Sequence, residues 1–275
     1  MNNPKEIIFL INPDIYKLVF EYIKSIKNTI FDSKIIIYVK GDNISYNKNN
    51  IYIFVGIMFV DYIIIDEPNV YYINIEQMTI PERLQFGLNF KDKKCKLLDY
   101  SETNCNILRK HNVQTLYLPY QVNLAEVFNY NKIYDFVICC SWNEKIENIF
   151  APLSKKFPNS HRIGRPALYG NTRDNILFRA KVLINIHNAK DYLVLEEIRI
   201  TRCILNKVIV ISEKSLEEEK YPLIEYVISC DYDNLVNKAT EIINNYDYYY
   251  NLIYGNFDIT KINNKLKNYI TNIKF

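Results

Sequence analysis

The chain has 275 residues, 49% of them apolar, and 34 basic against 31 acidic side chains give a formal charge of +3. That is enough apolar material for one large core or two modest ones, and the near balance of charge argues against nucleic acid as the expected partner. Six cysteines (Cys95, Cys105, Cys139, Cys140, Cys203 and Cys230), none in a C-x-x-C pair, speak against a disulfide scaffold or a zinc site and read as reduced, buried thiols.

Ile, Asn, Lys and Tyr are heavily used while glycine numbers 6, a bias toward residues with A/T-rich codons that suggests an A/T-rich parasite, bacterium or large DNA virus. The amino terminus MNNPKEIIFLI lacks the basic region and small-residue cleavage site of a secretory leader. The most apolar window, residues 51–65, is short for a spanning helix and is interrupted by Gly56 and Asp61. The expectation is a cytoplasmic protein without a membrane span, in the host cytoplasm if the source is viral.

In chain order, Lys5–Ile11 reads as a buried strand ended by Asn12-Pro13-Asp14, which caps an amphipathic helix over residues 14–28. Further strands are predicted over Lys34–Val39, Ile51–Val55, Tyr62–Ile65, Val70–Ile75 and Lys94–Asp99, then a helix from a Ser101 cap to about His111, and a strand over Val113–Leu118. The first strand is not followed by G-x-G-x-x-G, so classical dinucleotide binding at this end is not expected. Residues 119–132, rich in Asn and Tyr, read as a linker.

The strand–helix plan then restarts. Strands are predicted over Tyr134–Cys140, near Arg162, over Lys181–Ile186, over Lys207–Ile211 and near Val227; helices over Glu144–Lys156, Thr172–Arg179, Tyr192–Leu205 and Asp231–Tyr246. The predicted class is α/β with two Rossmann-like domains: residues 1–120, residues 121–257, and a final amphipathic helix over 258–275 expected, by analogy alone, to pack back on the first domain. Open parallel sheets bind ligands beyond the carboxyl ends of their strands, where this chain delivers Ser141 and Asn143, Arg165 and Tyr169, His187, and Ser212.

One stretch carries a more specific signal. Gly170, Arg173, Asp174, Lys181, Asn185, His187, Glu197, Arg199, Ser212 and Glu213 stand in an order and spacing that resembles glycosyltransferases of two Rossmann-like domains facing a cleft, the GT-B architecture. The likeness is to the short sporulation-protein-like and viral members with a family 1/4-like carboxyl-terminal domain. YYINIEQ at Tyr71–Gln77 and LLDYSETN at Leu97–Asn104 resemble further segments of that group.

The resemblance implies transfer of a sugar from a nucleotide donor, a UDP sugar, to a glycan or glycoprotein acceptor. It implies a ribose contact for Glu197, in preference to its neighbour Glu196, and a donor contact for His187. Such chemistry must neutralise a departing diphosphate and deprotonate an acceptor hydroxyl. The candidates for catalysis are Glu76, Asp99 and His187. For donor binding they are Ser141, Asn143, Arg165, Tyr169, Lys181, Glu197, Arg199 and Thr201, the last near where larger relatives carry a second glutamate. Helix amino termini and basic side chains can neutralise a diphosphate without a metal, and Asp231-Tyr232-Asp233 reads as a helix start rather than a metal motif, so no cofactor is expected. A catalytically inactive nucleotide- or glycan-binding protein of the same fold is the alternative.

Overall fold

The computed structural model describes residues 6–30, 33–37, 46–58, 64–164 and 169–273. The chain divides into two compact units, residues 1–121 with 264–275, and residues 122–263. Both are α/β, and in both the sheet is wholly parallel. The two Rossmann-like folds expected from the alternation of apolar runs and amphipathic helices are present.

In the first unit the strands are β1 (Ile7–Ile11), β2 (Ser33–Ile37), β3 (Ile51–Val55), β4 (Val70–Asn74), β5 (Lys96–Asp99) and β6 (Thr115–Tyr117), ordered β2-β1-β3-β4-β5-β6. Every residue of β1, β3 and β4 is buried, because helices cover both faces of a parallel sheet and leave no face for polar alternation. Tyrosines in this core keep their hydroxyls satisfied: the Tyr72 ring stacks on Phe54 at 5.1 Å while its oxygen accepts from the Ile65 amide at 2.8 Å.

Helix α1 (Pro13–Thr29) starts as the sequence requires, with Asn12 Oδ1 accepting from the Asp14 amide at 2.9 Å and proline in the first turn. Helix α2 (Pro81–Leu88) was not anticipated, since it is short and contains Gly87. The glycine has a packing reason: a Cβ there would lie 2.5 Å from Leu108 Cδ2 in α3 (Glu102–Lys110). Ser101 does precede α3, but its hydroxyl makes no capping bond and is buried without a hydrogen-bond partner. Of the strand expected over Tyr62–Ile65, residues 62–63 lie outside those described, and Ile64 and Ile65 lie in a loop.

In the second unit the strands are β7 (Tyr134–Cys139), β8 (Ser160–Ile163), β9 (Ala180–Asn185), β10 (Ile209–Glu213) and β11 (Val227–Cys230), ordered β11-β10-β9-β7-β8. The helices are α4 (Glu144–Lys156), α5 (Gly170–Leu177), α6 (Glu197–Leu205), α7 (Leu235–Asn244) and α8 (Tyr246–Tyr254). Two expected helices are altered. Helix α6 begins five residues later than the apolar periodicity suggested, because the Leu193 carbonyl is taken by the Leu216 amide at 2.8 Å and that of Leu195 by the Glu197 amide. The helix expected over Asp231–Tyr246 breaks into a single 3₁₀ turn at Tyr232–Asn234, then α7, then α8.

The last helix, α9 (Ile259–Thr271), carries the expected apolar stripe, with Ile262, Leu266 and Ile270 buried. In the first unit, the Leu266 carbonyl accepts from Gln121 Nε2 at 3.3 Å and the Tyr269 ring meets Tyr117 edge-on at 4.9 Å. Among the described residues no helix is long and apolar enough to cross a membrane. All six cysteines are unpaired. Burial pushes the thiols of Cys140 and Cys203 up to about 12, which leaves them unreactive at neutral pH.

A charged group lies inside the second unit. Arg202 on α6 donates to both oxygens of Asp174 on α5, at 3.1 and 2.7 Å, and to Glu126 Oε2 at 3.2 Å. Arg173 joins the same carboxylate at 2.7 Å. Two guanidiniums and two carboxylates balance, and the group fastens the Glu126 turn to α5 and α6.

Candidate functional site

In the second unit the chain runs from β7 outward to the edge strand β8, then crosses back to lay β9 on the other side of β7. Where strand order reverses in this way, the connections leave the sheet in opposite directions and a crevice opens at the carboxyl ends of the two central strands. The residues there are Ser141 to Asn143 after β7, and Asn185 to Asn188 at the end of β9.

Asn143 stands at the start of α4, its Oδ1 accepting from the Ile146 amide at 3.0 Å. Its Nδ2 donates to the Asn188 carbonyl at 2.5 Å, which ties the two strand ends across the crevice. Ser141 is exposed beside it. On α4, Lys145 Nζ meets both oxygens of Glu213, at the end of β10, at 2.7 and 2.8 Å. Glu213 Oε2 also accepts the His187 amide at 3.0 Å.

His187 is 4% exposed. Its Nε2 lies 3.0 Å from the Lys214 carbonyl and 3.2 Å from Ser215 Oγ. A carbonyl only accepts, so Nε2 carries the proton, and in the neutral ring Nδ1 then holds a lone pair. Nδ1 is buried and has no hydrogen-bond partner. An unmet buried polar atom costs about 1–3 kcal/mol, a cost that a hydroxyl or amide donor on a ligand removes.

Arg199 projects from α6 to the same edge. Its Nη1 donates to Asn185 Oδ1 at 3.2 Å, and Nη2 lies 3.5 Å from Glu196 Oε2, a looser pair than Lys145–Glu213. Glu196 is the residue at the helix start and is partly exposed, whereas Glu197 is 3% exposed inside the first turn. The resemblance implies the ribose contact for Glu197; its neighbour Glu196 pairs with Arg199.

The remaining donor-binding candidates separate. Thr201 Oγ1 donates to the Glu197 carbonyl at 2.7 Å and meets the Tyr221 hydroxyl at 2.8 Å, so its hydroxyl is occupied in the core. Lys181 is near the amino end of β9, paired with Asp135 at 2.8 Å, at the opposite edge of the sheet from His187. Tyr169 precedes α5 without making a capping bond. Arg165 lies outside the described residues. Asp231 pairs with Lys214 at 3.1 Å and the Tyr232 hydroxyl donates to the Lys145 carbonyl at 2.7 Å.

The sequence reading gave no role to Lys145 or Asn188. Glu213, which ends a buried strand, already stands in the pattern that resembles the GT-B transferases. Lys145 sits unmarked on a helix face, and no spacing announces it.

The two first-unit candidates stand at the carboxyl ends of adjacent strands. Asn74, which ends β4, pairs in register with Asp99, which ends β5. Asp99 is fully buried and accepts from Asn74 Nδ2 at 2.6 Å, Asn104 Nδ2 at 3.0 Å and the Ser101 amide at 2.9 Å. Asn74 and Asn104 also donate to the Glu76 carbonyl at 2.7 and 2.9 Å. The Glu76 carboxylate pairs with Arg83 of α2 at 2.5 Å and is partly exposed. Asp99 is therefore enclosed, while Glu76 reaches solvent.

Burial pushes the Asp99 carboxyl up to about 7, against the opposing pull of its three N–H donors. The folded state then holds this proton more tightly than the unfolded chain, whose carboxyl titrates near ~3.9. The stability it contributes is full below about pH 4 and is lost as pH rises through 7. Following the Asp99 carboxyl carbon by NMR is expected to show a midpoint near 7; a midpoint below about 5 would mean that the three donors outweigh burial.

No family model matches this sequence. The chain is 28% identical over 208 residues to uncharacterized protein R358 of Acanthamoeba polyphaga mimivirus, covering 74% of this chain and 72% of that protein. It is 28% identical over 251 residues to uncharacterized protein L138 and over 243 residues to uncharacterized protein L137 of the same virus. Of those two it spans only 26% and 32% respectively. Among solved structures, the crystal structure of TarM is similar at 12% identity and a TM-score of 0.49, over 80% of this chain and 51% of that one.

Proposed function

We propose that the chain is a glycosyltransferase whose second unit binds a nucleotide sugar at the crevice between β7 and β9. The observation that carries this reading is the buried, unpartnered Nδ1 of His187 at that strand reversal, with Arg199 bonded to Asn185 two residues earlier in the chain. A ligand presenting both a hydroxyl donor and an anion suits the two groups. The order of Gly170, Arg173, Asn185, His187, Glu197, Arg199 and Glu213, which resembles GT-B transferases, supports the same reading.

In the reaction the bond between the anomeric carbon and the diphosphate oxygen breaks, an acceptor oxygen forms the new bond, and its proton passes to a base. Arg199 and the amino end of α4 stabilise the negative charge that grows on the diphosphate, without a metal. His187 Nδ1 accepts from a sugar hydroxyl. Of the two first-unit carboxylates, Glu76 reaches solvent while paired with Arg83, whereas Asp99 is enclosed. A UDP sugar as donor and a glycan or glycoprotein as acceptor are the substrates proposed.

Thermal unfolding with a panel of nucleoside diphosphates and sugar nucleotides, with and without divalent metal, tests the site. A ligand at 100 times its dissociation constant adds about 2.7 kcal/mol, so a selective rise that does not need metal is the expected result. A rise accompanied by neither transfer nor donor hydrolysis would leave a binding protein. No rise at millimolar ligand would overturn the reading.

A further inference from the structure

The one tryptophan of the chain, Trp142, sits between Ser141 and Asn143 at the mouth of the crevice and is 41% exposed. The ring has a neighbour on one face and another at an edge. The Arg162 guanidinium, from β8, lies over the ring at 3.8 Å from its centre, and Phe150 of α4 meets it edge-on at 6.3 Å. Covered on one side and braced at an edge, the indole presents a flat, pre-oriented surface beside the residue that links β7 to β9.

Granting the donor site described above, we propose that Trp142, stacked on Arg162, is the platform on which the nucleobase of the donor lies. The cation on one face draws π density toward itself and leaves the other face poorer in electrons. Such a face suits the carbonyl-bearing plane of a nucleobase better than the C–H groups of a sugar ring, which seek electron-rich faces. Stacking on an aromatic side chain needs no particular hydrogen-bond pattern and contributes about 1–3 kcal/mol per base. Trp142 thereby sets affinity for the nucleoside part, while His187 and Arg199 address the rest of the donor.

The test is calorimetric titration of the full chain and of Trp142→Ala, Trp142→Phe and Arg162→Ala with UDP and with inorganic pyrophosphate. Trp142→Ala is expected to weaken UDP about 5- to 150-fold, to leave pyrophosphate unchanged, and to be largely rescued by Trp142→Phe; Arg162→Ala shows a smaller loss for UDP alone. Unchanged UDP affinity in Trp142→Ala, or an equal loss for pyrophosphate, overturns the platform while leaving the donor site standing. If the wild-type chain binds neither ligand, the donor site itself falls and the platform with it. Trp142 is largely at the surface, so circular dichroism is expected to show every variant folded.

Discussion

Arg202→Ala is expected to destabilise the second unit by about 3–5 kcal/mol, the usual consequence of removing one partner from a buried ion pair. Asp174 and Glu126, both nearly buried, then face one another with Arg173 as the remaining cation. For a unit of this size the loss corresponds to a fall of roughly 10–20 °C in unfolding temperature. Calorimetry reads it directly, and a fall of less than about 2 °C would show that the group is solvated rather than buried. Arg202→Lys should recover only part, because an ammonium cannot present two parallel N–H groups to Asp174 while also reaching Glu126. Replacing Arg202 and Glu126 together with Met and Gln is expected to cost less than Arg202→Ala alone, since Asp174 keeps Arg173 and no buried charge is stranded.

On the proposed reaction, Arg199→Ala is expected to lower kcat/KM for sugar transfer about 10²- to 10³-fold, the range found when one donor to a developing negative charge is removed. Arg199→Lys keeps the charge but not the fork that reaches Asn185 and Glu196 at once, and should fall in between. Lys181→Ala supplies the contrast. Lys181 belongs to the same strand–helix unit, yet its ammonium is paired with Asp135 at the far edge of the sheet, so donor affinity should stay within about twofold of wild type. Equal losses in Arg199→Ala and Lys181→Ala would place the anion site elsewhere. A steady-state transfer assay with the donor identified by thermal unfolding separates these outcomes.

Much of the architecture was legible in local pattern. Ile51–Val55, Val70–Asn74 and Ala180–Asn185 are nearly unbroken apolar runs, which a strand covered on both faces needs and a surface strand does not tolerate. Asn12-Pro13-Asp14 and Asn143 announce helix starts by short-range chemistry, a side chain bonding a backbone amide two or three residues on. Where long-range bonds compete, the pattern fails. The periodicity through Leu193 to Leu195 is helical, but the Leu193 carbonyl is claimed by Leu216, and the helix waits until Glu197. Gly87 inside α2 has a packing reason visible only in its contact with Leu108.

The candidate site divides along the same line. Placing Asn143 and His187 beyond strand ends required only the sequence, because a strand's end fixes which edge of the sheet its next residues occupy. The sequence by itself thus determined two parallel-sheet units and the edge of the second at which polar residues gather. Tertiary structure decided which of them act together. It set Lys145 on Glu213 and carried Lys181 to the opposite edge. It enclosed Asp99 among Asn74, Asn104 and Ser101, and left His187 Nδ1 without a partner. The reason is that strand order, and with it every contact between residues distant in the chain, follows from how the sheet is assembled and not from the composition of any one strand.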